Sequence, residues 1–302
     1  DVAPRPEDLF QERLYCIHWM RPKQKGKGYE YEFRAVTDAD LKRERVVEGY
    51  IAEHLAEWQE KGWMSDMRIE PGNKTDEPIR TRGWTHWHHL FNPRQLLVNS
   101  LINCFAQTAA LKVGVNQALN FNSQLSRWHN GPGVDAVIDT FYNQALNTLY
   151  NHGSRSSHYV GNQIATDFKS FPLTSVKTTI HCIPAERFDA HSDVYVTDPP
   201  YGDAVKYEEI LDFFIAWLRK NPPPEFADWV WDSRRSLAIK GEGEDFRHGM
   251  VASYKRMTEC MPDNGIQVIM FTHQSGSIWA DMAGIVWASG LQVTAAWYVV
   301  TE

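Results

Sequence analysis

Hydrophobic residues recur with two different periods along the chain, and the change of period divides the sequence. Between residues 37 and 150 the apolar positions repeat every three or four residues, which indicates helices. After residue 173, short apolar runs alternate with helical stretches, which is typical of a mostly parallel α/β sheet. We therefore expect three regions: an α+β region at 1–90, an α-rich region at 91–172 and an α/β region at 173–302.

Helix signals are clearest in the first half. Thr37 is a suitable N-cap and Gly62 a suitable stop, so a helix is predicted over 37–62. Asn92 and Pro93 open a second helix that runs to about residue 111. Further helices are predicted over about 116–125 and over 134–150, with loops at 64–83 and 151–172.

The second half predicts strands and helices in alternation. The strands are expected at 178–183, 194–197, 266–271 and 292–300, and the helices at 206–220, 245–261 and 278–289. Near the start of the chain, a Lys/Gly-rich stretch at 22–28 separates apolar runs at 14–19 and 29–34. It predicts a hairpin loop that is either solvated or in contact with phosphate.

Composition narrows the class of protein. The 302 residues are 43% hydrophobic and 23% charged, as in ordinary globular chains. The net charge of −7 weakens a nucleic-acid hypothesis but does not describe a local groove.

The four cysteines are isolated, so we expect neither a zinc ribbon nor disulfides, and we expect a cytoplasmic setting. No apolar run approaches the length of a membrane span, so no membrane partner is expected. The ends of the chain suggest a piece of a longer protein.

Three histidines lie close together at His86, His88 and His89. No acid or cysteine lies beside them at a familiar ligand spacing. We therefore predict no metal here, and instead a loop packed by its tryptophans ahead of a helix.

The strongest candidate for a functional site directly follows the strand predicted at 194–197, where the chain reads Asp198-Pro199-Pro200-Tyr201-Gly202. Two prolines cannot continue a sheet ladder, so the chain leaves the sheet at Asp198, at the carboxyl end of a strand. Ligands of open α/β sheets bind at that edge. The Asp198 carboxylate and the Pro199 carbonyl can accept both hydrogens of an exocyclic amino group, and Tyr201 can stack on a base. Such acceptors stabilise the positive charge that develops when the nitrogen attacks.

This stretch resembles motif IV of the amino-methyltransferases, which methylate adenine N6 or cytosine N4. Further motifs follow in order: WHHLFNPRQLL from residue 87, SQLSRW from 123, MFTH from 270 and TAAWYVVTE from 294. The series is similar to the large adenine-specific DNA methylases that carry an amino-terminal domain of unknown function. The resemblance covers residues 31–302 and identifies the chain with the carboxyl-terminal catalytic part of that family.

The resemblance implies a partial Rossmann-like methyltransferase sheet, S-adenosyl-L-methionine as cofactor and a flipped-out adenine in DNA as substrate. It implies catalytic roles for Asp198, Pro199, Pro200 and Tyr201. Some members of the family lie beside phage-defence genes, which implies restriction-modification or defence, with other defence subunits as partners. The glycine-rich cofactor loop of the family is not found in these residues, so the cofactor-binding residues stay unassigned.

Four further residues are candidates for substrate binding, each with a structural alternative. Gly202 lets the backbone approach a ligand or is a turn glycine, and Asp203 contacts substrate or caps the next helix. Tyr207 lines the pocket or packs in the core, and His273 follows a strand that ends at the same rim.

Two other functions remain open at this point. An N4-cytosine or RNA-base methyltransferase would use the same turn. A non-catalytic DNA-binding or scaffold subunit of a defence complex would explain the missing cofactor loop and the extra α-rich region.

Overall fold

A computed structural model describes residues 14–129, 136–138, 140–141, 178–200, 206–239 and 243–299. Within these ranges the chain is mixed α/β, with seven α-helices and three two-stranded sheets. The chain forms two compact units. The first contains the described residues up to 141 together with Glu209–Ser233, and the second contains the described residues of 172–208 and 234–302.

The described part of the first unit begins with an antiparallel hairpin and continues mainly as helices. The hairpin joins β1 (Cys16–Pro22) to β2 (Tyr29–Ala35), as predicted. The helices and the second short hairpin are α1 (Asp38–Glu60), α2 (Asp76–Arg82), α3 (Pro93–Phe105), α4 (Ala109–Phe121), β3 (Arg127–His129) and β4 (Ala136–Ile138).

The predicted starts of α1 and α3 are confirmed at the level of single hydrogen bonds. Thr37 accepts from the Asp40 backbone N–H, and the Asp40 carboxylate accepts from the Thr37 backbone N–H. Asn92 and Gln95 form the same reciprocal box ahead of α3. Each box satisfies two backbone donors that an uncapped helix would leave unpaired.

Aromatic side chains fill the core of the first unit. Trp87, in a 3-10 turn at Trp87–Leu90, lies edge-on to Phe213 with ring centroids 5.8 Å apart. Phe91 stacks on Phe213 and contacts the edge of Trp217. The prediction of a tryptophan-packed loop around the three histidines is therefore confirmed.

The second unit has one parallel strand pair and two packed helices. Its elements are β5 (Val194–Thr197), α6 (Glu244–Glu259), β6 (Ile266–Ile269) and α7 (Gly276–Ala288). The helix α5 (Tyr207–Leu218) begins in this unit and belongs to the first from Glu209 onwards. Buried side chains of α6 and α7 form the core. The chain order β5–α5–α6–β6–α7 is the predicted strand–helix alternation.

Two predicted strands are wrong. Residues 178–183 and 292–299 form no strand although both are rich in β-branched or aromatic residues. A strand requires a hydrogen-bonded partner, and in the described residues β5 and β6 pair only with each other.

Three helix predictions and one loop prediction also need correction. Residues 136–138 form β4 instead of part of a helix over 134–150, whose remaining residues lie mostly outside the described ranges. The loop predicted over 64–83 contains α2, because a proline is tolerated in a first helical turn. The helix predicted to residue 111 ends at Phe105, and a new helix capped by Thr108 replaces the one predicted over 116–125.

Candidate functional site

The carboxyl ends of β5 and β6 form one edge of the parallel sheet. Thr197, the last residue of β5, is in register with Ile269, the last residue of β6. The backbone N–H of Met270 donates to the Thr197 carbonyl at 2.9 Å, which extends the ladder to the edge itself. The segments that carry Asp198 and His273 therefore leave the sheet at the same edge, as the strand pattern predicted.

The Asp-Pro-Pro turn begins directly at this edge. Asp198 and Pro200 are exposed, whereas Pro199 is buried. Since neither proline has an N–H, the ladder between the strands cannot continue past them. The buried Pro199 anchors the turn and fixes the direction of its own carbonyl, while the Asp198 carboxylate stays accessible. Two acceptors thus follow one another on a stiff segment of backbone.

Of four further predicted site residues, the structure describes Tyr207. Tyr201, Gly202 and Asp203 lie outside the described residues. Tyr207 is the first residue of α5 and is 51% exposed, so its side chain is not packed in a core. That exposure leaves Tyr207 accessible to a ligand.

Sequence reasoning missed Tyr254, which lies on α6 and is 2% exposed. Its hydroxyl lies 3.1 Å from the Thr197 hydroxyl at the end of β5. Burial raises the pKa of Tyr254, and the nearby Asp198 carboxylate raises it further, while the hydrogen bond with Thr197 acts in the opposite direction. A protonated phenol therefore lies beside the acidic turn. The only signal in the sequence is that Tyr254 falls on the buried face of α6, which does not distinguish it from core.

The segment after β6 is held by its own hydrogen bonds. His273 Nδ1 accepts from the backbone N–H of Ser275 at 2.9 Å, so the proton of a neutral imidazole lies on Nε2. The His273 carbonyl accepts from the Trp279 indole N–H at 2.9 Å. The Trp279 ring also meets the edge of Phe271, with centroids 5.0 Å apart. His273 is therefore fixed by α7 and not carried on a free loop.

The residues described here give no metal site and no cofactor cradle. Within the described ranges, no three His, Cys, Asp or Glu side chains are placed to hold a metal ion. Neither strand of the parallel pair, β5 or β6, is followed by a Gly-x-Gly turn, the feature that would hold the nucleotide part of S-adenosylmethionine. The described residues thus do not fit that cofactor by themselves.

None of the helices in the described ranges is long and apolar enough to cross a lipid bilayer. The chain matches no protein-family model, no curated protein and no solved structure.

Proposed function

We propose that this chain carries the amino-group-binding edge of a DNA methyltransferase that modifies adenine N6, with S-adenosylmethionine as methyl donor. The observation that carries the proposal is the Asp198-Pro199-Pro200 turn at the carboxyl end of a parallel strand, with helix α5 following it. The finer assignment to a Rossmann-like methyltransferase sheet, and a role in restriction-modification or phage defence, belong to the same proposal and rest on the family resemblance.

The proposed role of this chain is to bind and polarise the target amino group. The Asp198 carboxylate accepts one N–H hydrogen and the Pro199 carbonyl accepts the other. These acceptors favour a more tetrahedral nitrogen, whose lone pair is less delocalised into the ring. They also stabilise the positive charge that develops on nitrogen. The nitrogen can lose its proton after attack, so no dedicated general base is required.

Rigidity of the turn supports this role. The proline backbone and the buried Pro199 ring hold the two acceptors in a fixed relation, which lowers the cost of reorganisation on binding. An adenine inside a duplex is stacked and paired, so the target base must be flipped out to reach this edge. In the proposal Tyr201 stacks on that base, and Tyr207 and His273 line the pocket.

The test is transfer of labelled methyl groups from S-adenosylmethionine to unmethylated DNA by the protein that contains this chain. We expect label recovered as N6-methyladenine, and a loss of roughly 100-fold or more in Asp198→Asn, the magnitude typical for removal of a charge-stabilising group. Asp193→Asn is the matched control, because Asp193 is exposed at the opposite, amino-terminal end of β5.

Other outcomes select other functions. Label in N4-methylcytosine or in RNA would support the runner-up substrates. If the folded protein binds DNA but neither binds S-adenosylmethionine in calorimetry nor labels DNA, the scaffold function replaces the enzyme.

A further inference from the structure

The β1–β2 hairpin has two chemically different faces. Directly opposed residues of an antiparallel pair share a face, and His18 is opposed to Phe33. The His18 ring stacks on Phe33 with centroids 4.3 Å apart and planes 11° apart, and on Tyr31 at 5.2 Å and 27°. Tyr31 and Phe33 are both about half exposed, at 51% and 52%. One face of the hairpin is therefore an aromatic platform open to solvent, formed by His18, Tyr31 and Phe33.

The opposite face is charged but internally paired. Arg21 Nε lies 3.0 Å from the Glu30 carboxylate, directly across the two strands. Arg34 pairs with Glu32 at 2.8 Å on the same face. The charges of this face therefore compensate one another, which leaves no excess of either sign for a partner.

The tip of the hairpin carries the unbalanced charge. Lys23, Lys25 and Lys27 are exposed, and none has a carboxylate partner in the part of the chain that the structure describes. Gly26 and Gly28 adopt positive φ angles of 87° and 104°, which allow the turn that presents the lysines. These three exposed lysines on one loop contrast with a net charge of −7 for the chain.

We propose that this hairpin binds single-stranded nucleic acid, with the aromatic platform stacking on unpaired bases and the tip lysines contacting phosphates. Aromatic rings bind any base through its π-face, and nearby cations neutralise the backbone. Tyr31 lies two residues beyond Tyr29, the first residue of β2, so it is about 7 Å along the strand from the loop. A few nucleotides are enough to reach both the rings and the lysines.

Duplex DNA fits the platform less well. Bases of a duplex are already stacked on one another and present only their edges in the grooves. Reading those edges relies on forked donors and acceptors such as Arg, Asn and Gln. The platform instead presents ring faces, and the two arginines of the hairpin are engaged with glutamates. The unpaired bases and phosphates that it would recognise are shared by single-stranded DNA and RNA.

The first test is fluorescence anisotropy with oligothymidylate, oligouridylate and duplex DNA, each of about 15 nucleotides or base pairs, a length that spans one single-strand site. The double variant Tyr31→Val/Phe33→Val keeps residues that favour strands. We expect it to weaken single-strand binding roughly tenfold or more. Trp19→Val is the matched control, since Trp19 is 50% exposed on the opposite face of the hairpin, and its binding should be unchanged.

The second test is the salt dependence of binding. Replacing the three tip lysines by glutamine should lower the slope of log affinity against log salt by about 2, because single-strand contacts contribute about 0.7 each. A triple glutamine variant at Lys42, Arg45 and Lys74 removes the same number of exposed cations elsewhere in the first unit and should keep the slope.

The assays contain no methyl donor and leave Asp198 intact, so the proposal goes beyond the methyltransferase function and fails or holds independently of it. Circular dichroism establishes that each variant is folded. The difference in affinity between oligothymidylate and oligouridylate shows whether the hairpin prefers single-stranded DNA or RNA. Absence of binding by the unmodified protein, tighter binding to duplex, or equal losses in the platform and control variants would each overturn the proposal.

Discussion

The hydroxyl of Tyr254 on α6 lies 3.1 Å from the hydroxyl of Thr197 at the end of β5. The two residues are far apart in sequence, and the bond joins the end of the strand to the helix packed on the sheet. Because Asp198 follows Thr197 directly, the same phenol is close enough to the Asp198 carboxylate to respond to its charge. The exposed acid of the candidate site is therefore coupled electrostatically to a buried group.

This coupling predicts that Asp198→Asn lowers the pKa of Tyr254. Removing the carboxylate removes its repulsion of the phenolate, whereas burial, the largest cause of the raised pKa, remains. The pKa of Tyr254 should therefore fall but stay above its ordinary value. The measurement is an NMR titration of tyrosine labelled at Cζ, assigned with Tyr254→Phe. Asp193→Asn should leave the pKa of Tyr254 unchanged, and an unchanged value in Asp198→Asn would contradict the coupling.

A second prediction compares two buried tyrosines. Tyr254→Phe removes the bond to Thr197, and Tyr195→Phe removes the bonds from the Tyr195 hydroxyl to the Ala190 and Cys260 carbonyls. Each substitution should cost about 1 kcal/mol in the free energy of unfolding, measured by urea denaturation.

Of the two substitutions, only Tyr254→Phe should affect the proposed methyl transfer. Tyr254 acts through Thr197 and Asp198 as a positioning residue, so its loss should lower kcat roughly tenfold with little change in KM. Among the described residues, the Tyr195 hydroxyl bonds to the Ala190 and Cys260 carbonyls and not to Thr197, so Tyr195 serves as the control. Equal kcat values for both variants would show that Tyr254 is only part of the core.

The sequence predicted those features whose signals are local. The starts of α1 and α3 follow from Thr37 and from Asn92-Pro93, because a cap is formed within four residues. The end of β5 follows from Pro199 and Pro200, since a proline cannot donate to a ladder. The candidate site was found in this way, through a turn whose chemistry is contained in consecutive residues.

Features that depend on distant partners were not predicted. Residues 178–183 and 292–299 have strand composition but no pairing partner, and composition does not specify pairing. The strands β3 and β4 have three residues each, too few to display a period of two. Tyr254 was missed for the same reason, because its partner lies outside its own helix.

Another long-range contact fixes the loop ahead of α2. Glu209 is 5% exposed, and its carboxylate accepts from the backbone N–H groups of Asn73, Lys74 and Thr75 at 3.0, 2.8 and 3.1 Å. Three successive amides thus form a concave anion site that the protein fills with its own side chain. These bonds tie the loop to helix α5, within the first unit.

We predict that Glu209→Gln and Gly72→Ala both destabilise the protein. The glutamine places an amide donor among backbone donors, which should cost about 2–3 kcal/mol. At position 72 a Cβ would lie 2.6 Å from the Glu209 carboxylate, so the loop must shift. Gly49→Ala is the control, since nothing lies within 4 Å of its Cβ and helix propensity favours alanine by about 1 kcal/mol. The measurement is the free energy of unfolding by denaturant. If Gly72→Ala were as stable as Gly49→Ala, the proposed contact between the loop and Glu209 would be contradicted.

The buried amide of Asn103 supports a fourth prediction. Its Nδ2 lies 3.1 Å from each of the carbonyl oxygens of Gly62, Trp63 and Trp217, and its Oδ1 accepts from Lys112 at 2.7 Å. Asn103 is fully buried and therefore links three segments of the first unit through a side chain that has no access to water.

Asn103→Asp should lower the free energy of unfolding by about 3 kcal/mol or more, although it keeps the size of the side chain. It replaces the donor by an oxygen that faces three carbonyl acceptors, and the gain in attraction to Lys112 does not satisfy them. Gln107→Glu makes the same chemical change at an exposed position and should stay within about 0.5 kcal/mol of the unmodified protein. Similar losses in both variants would mean that Asn103 does not organise this core.

The clustered histidines give the final prediction, a dependence of stability on pH. Burial, followed by the charges of His89 and His86, lowers the pKa of His88 to about 4 from an ordinary value of 6.5. The unfolded chain therefore takes up a proton at higher pH than the folded protein does. The contribution of His88 to the free energy of unfolding is therefore largest above pH 6.5. It falls as the pH is lowered from 6.5 to about 4, and it changes no further below that pH.

The loss attributable to His88 is about 3 kcal/mol, from the difference between the two pKa values. His88→Gln, which cannot titrate, should flatten the curve of unfolding free energy against pH between neutrality and pH 4 by about that amount. His248→Gln is the control, because the His248 side chain is 79% exposed and is not packed in a core. The measurement is urea denaturation of the unmodified protein, His88→Gln and His248→Gln at a series of pH values between 7 and about 4. If the unfolding free energies of the two variants depend on pH in the same way, burial of His88 does not govern the acid sensitivity of the fold.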